Sequence, residues 1–224
     1  MIAAVLPEGV VGVTSFEELA PATSGPDRLF PDESAAIVHA SAGRRAEFTT
    51  VRLCARRALA ALGLPPAPLV PGKRGLVTWP GGVSGSMTHC AGFRAAAVAR
   101  TEVTASLGID AEPNLPLPPG VLASVSRPRE AVALSGLARR RPDVHGDRLL
   151  FSAKESVFKA WYPLTGRELE FEEAEVEFDP AGTFSARLLV PGPEVAGRRH
   201  DTFSGRWTVG RGFVLTSVTL PGVR

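Results

Sequence analysis

Cysteine is nearly absent from this sequence. The 224 residues contain two, Cys54 and Cys90, and no C-x-x-C pair. A framework of several disulfides is therefore excluded, although a single disulfide between the two stays open. This usage is typical of a reduced, cytoplasmic protein.

Long apolar runs are lacking as well. No run approaches the ~18–20 residues of a membrane-spanning helix, and the first residues, MIAAVLPEGVVGV, carry no basic group ahead of their apolar part. We therefore expect neither a membrane span nor a signal peptide. The formal net charge is only +2, which argues against a protein that coats nucleic acid.

Lysine is scarce in a chain that otherwise uses arginine. The three lysines are Lys73, Lys154 and Lys159, among 25 lysines and arginines in total. Either these positions need an ammonium group, or a codon bias toward arginine left three exceptions by chance.

The stretch 149–163, LLFSAKESVFKAWYP, predicts a helix from about residue 153 to residue 161. Ser152 followed three residues later by Glu155 is typical of a helix start. Glu155 and Lys159 lie on one side of this helix, because residues four apart are neighbours. They either belong to a functional site or form a capping box and an ordinary surface pair.

The remaining chain alternates between helical and strand patterns in two sets, which predicts an α+β fold whose halves meet near residues 101–107. The predicted elements are an edge strand plus turn over 1–15, a loop over Pro21–Arg28, a short helix capped by Asp32 or Ser34, a helix over Arg44–Leu62, a loop or short strands over Pro65–Gly85, two strands over 83–100, a strand over Val103–Asp110, short helices over Val121–Leu137, a basic loop over Arg139–Asp147 and strands over Glu170–Leu220.

Three arginines form a strip on the predicted 44–62 helix. Arg45, Arg52 and Arg56 lie within about 40° of one another around the helix axis. The strip is either a solvated face or a track for phosphate groups.

Asp110 and Glu112 lie on one face of their strand, because successive side chains alternate. Two carboxylates at this spacing repel each other without a cation, and together with Glu155 they could bind Mg²⁺ through hard oxygen ligands. The alternative is an exposed acidic edge.

The sequence lacks the patterns of a P-loop and of a dinucleotide site. Its nearest match to the serine hydrolase pattern G-x-S-x-G also fails, because Ser86 replaces the last glycine.

Three blocks occur in order along the chain: WPGGVSGSMTHCAGFRAAAV (79–98), GIDAEP (108–113) and FSAKESVFKAWYP (151–163). Together they resemble the signature blocks of Sfp/EntD-type 4′-phosphopantetheinyl transferases. The likeness extends to the helix RRAEFTTVRLCARRAL (44–59) and the loop PGKRG (71–75). Phe93 stands where the family often has tyrosine, and beyond about residue 170 only the strand pattern is similar.

The resemblance implies an α+β fold of two similar, pseudo-twofold-related halves, each a small, mostly antiparallel sheet packed on a long helix. We expect residues 1–104 to bind the phosphates of coenzyme A. Residues 105–224 would hold the metal and meet the carrier protein, with the active site in the cleft between the halves. The implied activity is Mg²⁺-dependent transfer of the 4′-phosphopantetheine group of coenzyme A to a serine of an apo acyl or peptidyl carrier protein, which releases 3′,5′-ADP.

Carried over to this sequence, the resemblance assigns roles to particular residues. Asp110, Glu112 and Glu155 would hold Mg²⁺, with Mn²⁺ as an alternative, while Glu155 would also act as the base and Lys159 would lie at the pyrophosphate. The residues assigned to coenzyme A are Arg44, Arg52, Lys73, Arg74, Thr88, His89, Lys154 and Lys159. The alignment leaves open whether Lys73 or Arg74 is the phosphate contact.

The implied partners are coenzyme A and carrier proteins of siderophore, peptide, polyketide or fatty-acid synthesis, without nucleic acid or membrane, and the enzyme would be a cytoplasmic monomer. The connector and helix over 115–125 resemble the family's region that meets the carrier, where Leu122 and Val125 would be apolar contacts. One alternative is a non-catalytic binder of a phosphorylated ligand, which has no use for three carboxylates. The other is a nucleic-acid-binding domain, which the net charge of +2 disfavours.

The assignment of Asp110 to the metal is testable by substitution. Asp110→Ala removes one of three proposed oxygen ligands, so transfer to a carrier protein should be abolished at ordinary Mg²⁺ while the fold is retained. The mass of the carrier reports transfer, and circular dichroism reports the fold. Normal turnover by the variant would rule out the metal assignment.

Overall fold

The computed structural model describes residues 1–18 and 28–222, so most of the loop predicted over Pro21–Arg28 lies outside the described residues. Its α-helices are α1 (Pro31–Ala36), α2 (Ala42–Ala61), α3 (Val121–Val125), α4 (Pro128–Arg140) and α5 (Gly146–Thr165), with short 3₁₀ turns at Ile2–Val5, Lys73–Gly75 and Phe171–Glu173. Its strands are β1 (Val11–Ser15), β2 (Val83–Cys90), β3 (Phe93–Arg100), β4 (Thr104–Pro113), β5 (Ala174–Asp179), β6 (Thr183–Leu188), β7 (Glu194–Val195), β8 (Arg198–Arg199), β9 (Thr202–Gly210) and β10 (Phe213–Pro221).

The amino-terminal half packs the 20-residue helix α2 on an antiparallel sheet of order β1-β3-β2. The helix begins where the Ser41 hydroxyl accepts a hydrogen bond from the Arg44 amide (3.3 Å). It ends before Gly63, which takes the left-handed conformation that favours glycine (φ 72°). Strand β3 presents Ala95–Ala99, all fully buried, so the helix can approach the sheet closely.

The carboxy-terminal half packs the 20-residue helix α5 on a five-stranded antiparallel sheet of order β4-β10-β9-β6-β5. Alternation along β5 and β6 directs Val176, Phe184 and Ala186 into the core. Helix α5 contributes Leu149, Val157, Trp161 and other apolar residues to the same core. The α+β class, with each antiparallel sheet packed on a long helix, is confirmed.

Strands β2 and β4 join the two halves through side-chain hydroxyl groups. The Ser84 hydroxyl donates to the Thr104 carbonyl (2.6 Å), the Ile109 amide donates to the Ser86 hydroxyl (3.1 Å), and the Ala111 amide donates to Thr88 Oγ1 (3.2 Å). Every second residue of β2 thus provides a hydrogen-bond partner for a backbone group of β4. These backbone groups are buried and would otherwise lack partners. We call this contact the hydroxyl seam.

Strand β4 lies so close to α5 that glycine is required at residue 108. A Cβ atom there would lie 2.0 Å from the Ser156 carbonyl oxygen and 2.8 Å from the Ala160 amide nitrogen. The neighbouring Ser106 hydroxyl donates to the Ala160 carbonyl (2.7 Å). These contacts set the register of the helix against the strand.

Several sequence-based predictions of elements are confirmed. Helix α2 lies within two residues of the predicted 44–62, and the 83–100 region forms β2 and β3. The shared face predicted for Asp110 and Glu112 on β4 is also correct, since both carboxylates contact side chains of α5. The carboxy-terminal strands form the expected antiparallel pairs.

The predicted start of α5 is wrong by seven residues, because the helix begins at Gly146 and not near residue 153. Ser152 lies inside the helix, fully buried, where its hydroxyl bonds Thr216 (2.9 Å). The capping-box interpretation of Ser152 and Glu155 is therefore wrong. The apolar spacing of Leu149, Leu150 and Ala153 continues the pattern toward the amino terminus and could have revealed the earlier start.

Four further predictions need correction. The 1–15 stretch contains a 3₁₀ turn before the edge strand β1, and α1 is preceded by Phe30 as N-cap rather than by Asp32 or Ser34. The predicted basic loop begins later, because α4 extends to Arg140. The arginine strip is not a continuous solvated face or phosphate track, because two of its three members, Arg52 and Arg56, are buried against Glu33.

None of the helices in the described segments has both the length and the apolarity needed to cross a bilayer.

The close approach at Gly108 predicts a sharp loss of stability on enlargement. Gly108→Ala should lower the free energy of unfolding by about 3 kcal/mol, because the new methyl group meets helix backbone that cannot rotate away. Urea denaturation of the purified variant measures the change.

Gly136→Ala in α4 is the matched control. Its Cβ would meet only the end of the Arg139 side chain, at 3.8 Å. Replacing a helical glycine by alanine should then be neutral or stabilise by up to about 1 kcal/mol. Equal stability of the two variants would contradict the proposed contact.

Candidate active site

Asp110 lies near the carboxyl end of β4, where α5 and the hydroxyl seam meet. It is buried, and its Oδ1 accepts hydrogen bonds from Lys159 Nζ (2.7 Å) and Thr88 Oγ1 (3.2 Å). Its Oδ2 is also buried but has no hydrogen-bond partner among the described residues. A buried carboxylate oxygen without a partner is costly, so this atom is an acceptor available to a ligand.

Two more carboxylates flank Asp110. Burial raises the pKa of Glu112, the charge of Asp110 raises it further, and Arg148 opposes the shift through a 2.8 Å ion pair. Burial also raises the pKa of Glu155, where Lys159 opposes the shift and Asp110 adds to it. Each of these glutamates therefore experiences the negative charge of Asp110, and a cation among the three would relieve that repulsion.

The three carboxylates fit a divalent cation in chemistry, but their side chains are not gathered around one point. Within residues 1–18 and 28–222, no three His, Cys, Asp or Glu side chains form a group able to hold a metal ion. Asp110 does offer a buried, unpartnered oxygen of the hard type that Mg²⁺ prefers. Bringing Glu112 and Glu155 to the same ion as Asp110 requires a change in their side-chain conformations.

Arg44 and His89 form the basic side of the site. Arg44 Nη1 lies 2.9 Å from His89 Nε2 and 3.4 Å from Glu47 Oε2. Because a guanidinium can only donate, His89 Nε2 is the acceptor and its proton is on Nδ1. Removal from water lowers the pKa of His89, and the nearby Arg44 and Lys159 lower it further against the effect of Glu47.

Arg52 is held by protein groups. Its Nε donates to the Leu69 carbonyl (2.9 Å), its Nη1 donates to the Phe48 carbonyl (3.3 Å), and Glu33 lies 3.7 Å away. Burial lowers the pKa of Arg52 to about 9, mainly because the charged form loses hydration. Arg52 therefore stabilises the wall of the site rather than extending into it.

Lys154 is held in the same way. Its ammonium donates to Glu130 Oε2 (2.8 Å) and to the Phe171 carbonyl (2.7 Å), and the side chains of both ion-pair partners are almost fully buried. Glu130 also accepts from the Arg127 and Val176 amides (both 2.7 Å). This ion pair connects α4, α5 and β5.

Lys73 and Arg74 are neighbours in one short turn but line different cavities. Lys73 lines a cavity of about 520 Å³ beside Trp79 and Tyr162. Arg74 lines one of about 450 Å³ that also contains His89 and Asp110. The turn thus separates the two basic side chains that the alignment left interchangeable.

The 450 Å³ cavity, which we call the cleft, collects most of the predicted site residues. Those that line it are Arg44, Arg52, Arg74, Thr88, His89, Asp110 and Lys159. A second cavity of about 250 Å³ contains Lys154 and Glu155 and shares Arg74 with the cleft. Among the described residues, Glu112 and Lys73 line neither of these two cavities.

A larger cavity of about 760 Å³ lies on the open face of the carboxy-terminal sheet, beside Ser185 and Arg206. Its lining includes none of the predicted residues. The cleft is the better candidate for chemistry because its wall carries a buried unpartnered carboxylate oxygen and several cations.

Arg148 is a residue of the site that the sequence-based reasoning missed. Besides its ion pair with Glu112, it donates to the carbonyl oxygens of Leu115 (Nε, 3.0 Å) and Pro116 (Nη2, 3.0 Å). It lies in the first turn of α5, between the loop predicted up to Asp147 and the helix predicted from about residue 153. Extending the apolar helical pattern toward residue 146 would have placed it on the helix.

The two apolar contacts predicted for a carrier need correction, whereas the predicted region over 115–125 stays a prediction. Val125 is buried, and Leu122 packs against the core. Leu115, by contrast, is 61% exposed on the connector that Arg148 holds.

Comparison with known proteins gives one consistent result. Residues 32–99 match the family model of the 4′-phosphopantetheinyl transferase N-terminal domain, and residues 106–215 match that of the 4′-phosphopantetheinyl transferase superfamily. The chain is 63% identical over 225 residues to the 4′-phosphopantetheinyl transferase Svp of Streptomyces mobaraensis, covering 98% of this chain and 89% of that protein. It is 46% identical over 230 residues to the 4′-phosphopantetheinyl transferase PptT of Mycobacterium tuberculosis, covering 98% of each.

The Lys154–Glu130 ion pair predicts a stability effect that a purely ligand-binding lysine would not show. Lys154→Ala leaves Glu130 as a buried charge without its partner, so the free energy of unfolding should fall by about 3 kcal/mol. Urea denaturation without ligand measures it. The exposed Lys73→Ala is the control and should change stability by less than about 0.5 kcal/mol; equal effects would contradict the structural role of Lys154.

Proposed function

The chain belongs to the 4′-phosphopantetheinyl transferase superfamily, and we propose that it moves the 4′-phosphopantetheine group of coenzyme A to a serine of an apo acyl or peptidyl carrier protein. The product released is 3′,5′-ADP. The observation that carries this proposal is the cleft, where cations from the amino-terminal half face Asp110 and Lys159 of the carboxy-terminal half. In this proposal residues 1–104 and 105–224 act as the two halves of one active site.

We propose that the phosphate groups of coenzyme A bind in the cleft. Arg44 is half-exposed beside His89, and Arg74 is 59% exposed, so both can exchange their present partners for a phosphate. Lys73 lines the other side of the turn, which favours Arg74 as the phosphate contact. Arginine suits this role because its guanidinium can donate two parallel hydrogen bonds.

We propose that Arg52 and Lys154 support coenzyme A binding from the walls of the two cavities. Each is already bonded to carbonyl oxygens and a carboxylate of the protein. The charge in contact with phosphates then comes from Arg44, Arg74 and Lys159, while His89 offers a neutral imidazole for hydrogen bonding.

We propose that Asp110, Glu112 and Glu155 hold Mg²⁺, with Mn²⁺ as an alternative. When bound, the ion would stabilise the negative charge on the diphosphate of coenzyme A during transfer. The unpartnered Asp110 Oδ2 supports this assignment, as do the raised pKa values of the two glutamates, to which burial contributes most and the charge of Asp110 adds. Thr88 and Lys159 hold the other oxygen of Asp110, which orients the free one.

The transfer itself needs a base and a stabilised leaving group. The carrier serine oxygen attacks the phosphorus next to pantetheine, and the bond from that phosphorus to the bridging oxygen breaks, leaving its electron pair on 3′,5′-ADP. Glu155, directly or through a water, accepts the serine proton, and burial favours this because it raises the pKa of that carboxyl. Lys159, whose ammonium lies at the wall of the cleft, stabilises the charge that develops on the leaving phosphate.

We propose that the carrier protein approaches along the connector that carries Leu115, next to the carboxylates. An exposed apolar residue beside a site with arginines suits an acidic partner with an apolar contact. The enzyme would act as a monomer in the cytoplasm, where coenzyme A and carrier proteins are found.

Intact mass of an apo carrier protein tests the function directly. Incubation with this protein, coenzyme A and Mg²⁺ should add one phosphopantetheine group to the carrier, and EDTA should prevent the addition because the proposed ion is removed. Carrier without enzyme is the control.

The alternative function predicts a different result from the same assay. A non-catalytic binder of phosphorylated ligands would bind coenzyme A but leave the mass of several unrelated carriers unchanged. Transfer that persists in EDTA would support the activity and overturn the metal assignment alone.

A further inference from the structure

An ion pair connects the two halves at the border of the cleft. Arg74 Nε donates to Glu168 Oε1 at 2.8 Å, although the two residues are 94 positions apart in the sequence. Arg74 belongs to the turn Lys73–Gly75 of the amino-terminal half, and Glu168 follows α5 in the other half. Both side chains are about half exposed, at 59% and 48%, so solvent and ligands can reach them.

The backbone at Arg74 takes an unusual conformation for the residue. Its φ of 58° and ψ of 19° lie in the left-handed region, which costs free energy for a residue with a side chain. In the described part of the chain, the other non-glycine residues with positive φ are Ala196 and Arg211, both in turns between paired strands where this conformation is expected. Arg74 and Gly75 (φ 73°) form a turn of the same kind, because the Leu76 amide donates to the Lys73 carbonyl (3.3 Å) and Pro71 pairs with Val77 as an antiparallel bridge. The turn therefore holds Arg74 at the tip of a short hairpin.

Arg74 occupies the border between the two cavities of the candidate site. It lines the cleft together with His89 and Asp110, and it also lines the smaller cavity together with Glu155 and Glu168. A phosphate group bound in the cleft would therefore meet an arginine that is already paired with a carboxylate. Glu168 and the phosphate would compete for the same guanidinium.

We propose that Glu168 is a positioning residue that holds Arg74 across the border of the cleft until coenzyme A arrives and its phosphate takes the arginine. This inference rests on the proposed function and assigns a role to a residue outside the motifs described above. The ion pair is then a strap that closes the site between the two halves. It opens by exchange of one anionic partner for another.

The exchange is feasible because an exposed ion pair is weak. Such pairs contribute little in water and are screened by salt, whereas a phosphate brings more negative charge and a bidentate geometry. Glu168 therefore reduces the affinity for coenzyme A without preventing binding. Removing its charge should tighten binding by about two- to fivefold, which corresponds to the contribution of one exposed pair.

The test measures the Kd of coenzyme A by calorimetry in EDTA at low salt, with wild type and Glu168→Gln. We expect the variant to bind about two- to fivefold more tightly, and the advantage to shrink as NaCl is raised. In turnover, the change should appear in KM for coenzyme A rather than in kcat. Glu194→Gln is the matched control, because Glu194 pairs with Arg199 on the β7–β8 ribbon and does not line the cleft (3.9 Å, both exposed).

A double-mutant cycle separates the strap from a general charge effect. In an Arg74→Gln background, Glu168→Gln should no longer change the Kd, because the competed cation is gone. Equal tightening in both backgrounds would overturn the proposal, since it would report only the loss of a negative charge near the site. If Glu168→Gln alone leaves the affinity for coenzyme A unchanged, the proposal is overturned. A weaker affinity would overturn it too, because it would show that Glu168 prepares Arg74 for the ligand.

The failure of this inference can be told apart from failure of the proposed function. Wild-type protein that neither binds coenzyme A nor modifies a carrier would contradict the function itself. Wild-type protein that does both, with Glu168→Gln binding coenzyme A equally well, would contradict the strap alone.

Discussion

The close contact of helix α5 with strand β4 is the constraint on which the site depends. The helix backbone lies so close to Gly108 that a side-chain methyl group would not fit between them. Ser106 fixes the register of the helix by donating a hydrogen bond to the Ala160 carbonyl. Two residues further along the strand, Asp110 then meets Lys159. The position of the charged groups, whose nearest atoms are 2.7 Å apart, thus follows from packing.

The hydroxyl seam performs a structural and a chemical task with the same side chains. Ser84, Ser86 and Thr88 satisfy backbone groups of β4, so the two sheets can lie side by side without a ladder of backbone bonds. Thr88 Oγ1 also donates to Asp110 Oδ1. The contact between the halves therefore orients the carboxylate that lies at their junction.

The basic residues of the site divide into two kinds by burial. Arg52 and Lys154 are buried, and carbonyl oxygens and carboxylates of the protein already satisfy them. Arg44 and Arg74 are exposed and hold weaker partners that a ligand can replace. A binding site for a highly charged molecule needs both kinds, because buried ion pairs hold the walls in place while exposed cations remain available.

Local periodicity was enough to predict the α+β class, helix α2 to within two residues, the face of β4 that carries Asp110, and the spacing of Glu155 and Lys159. Which basic side chain faces the cleft, by contrast, depends on the tertiary structure. Lys73 and Arg74 are adjacent in sequence yet line different cavities, and Lys154 finds its partner in Glu130, 24 residues away. Such choices depend on contacts between distant segments, and local periodicity carries no information about those contacts.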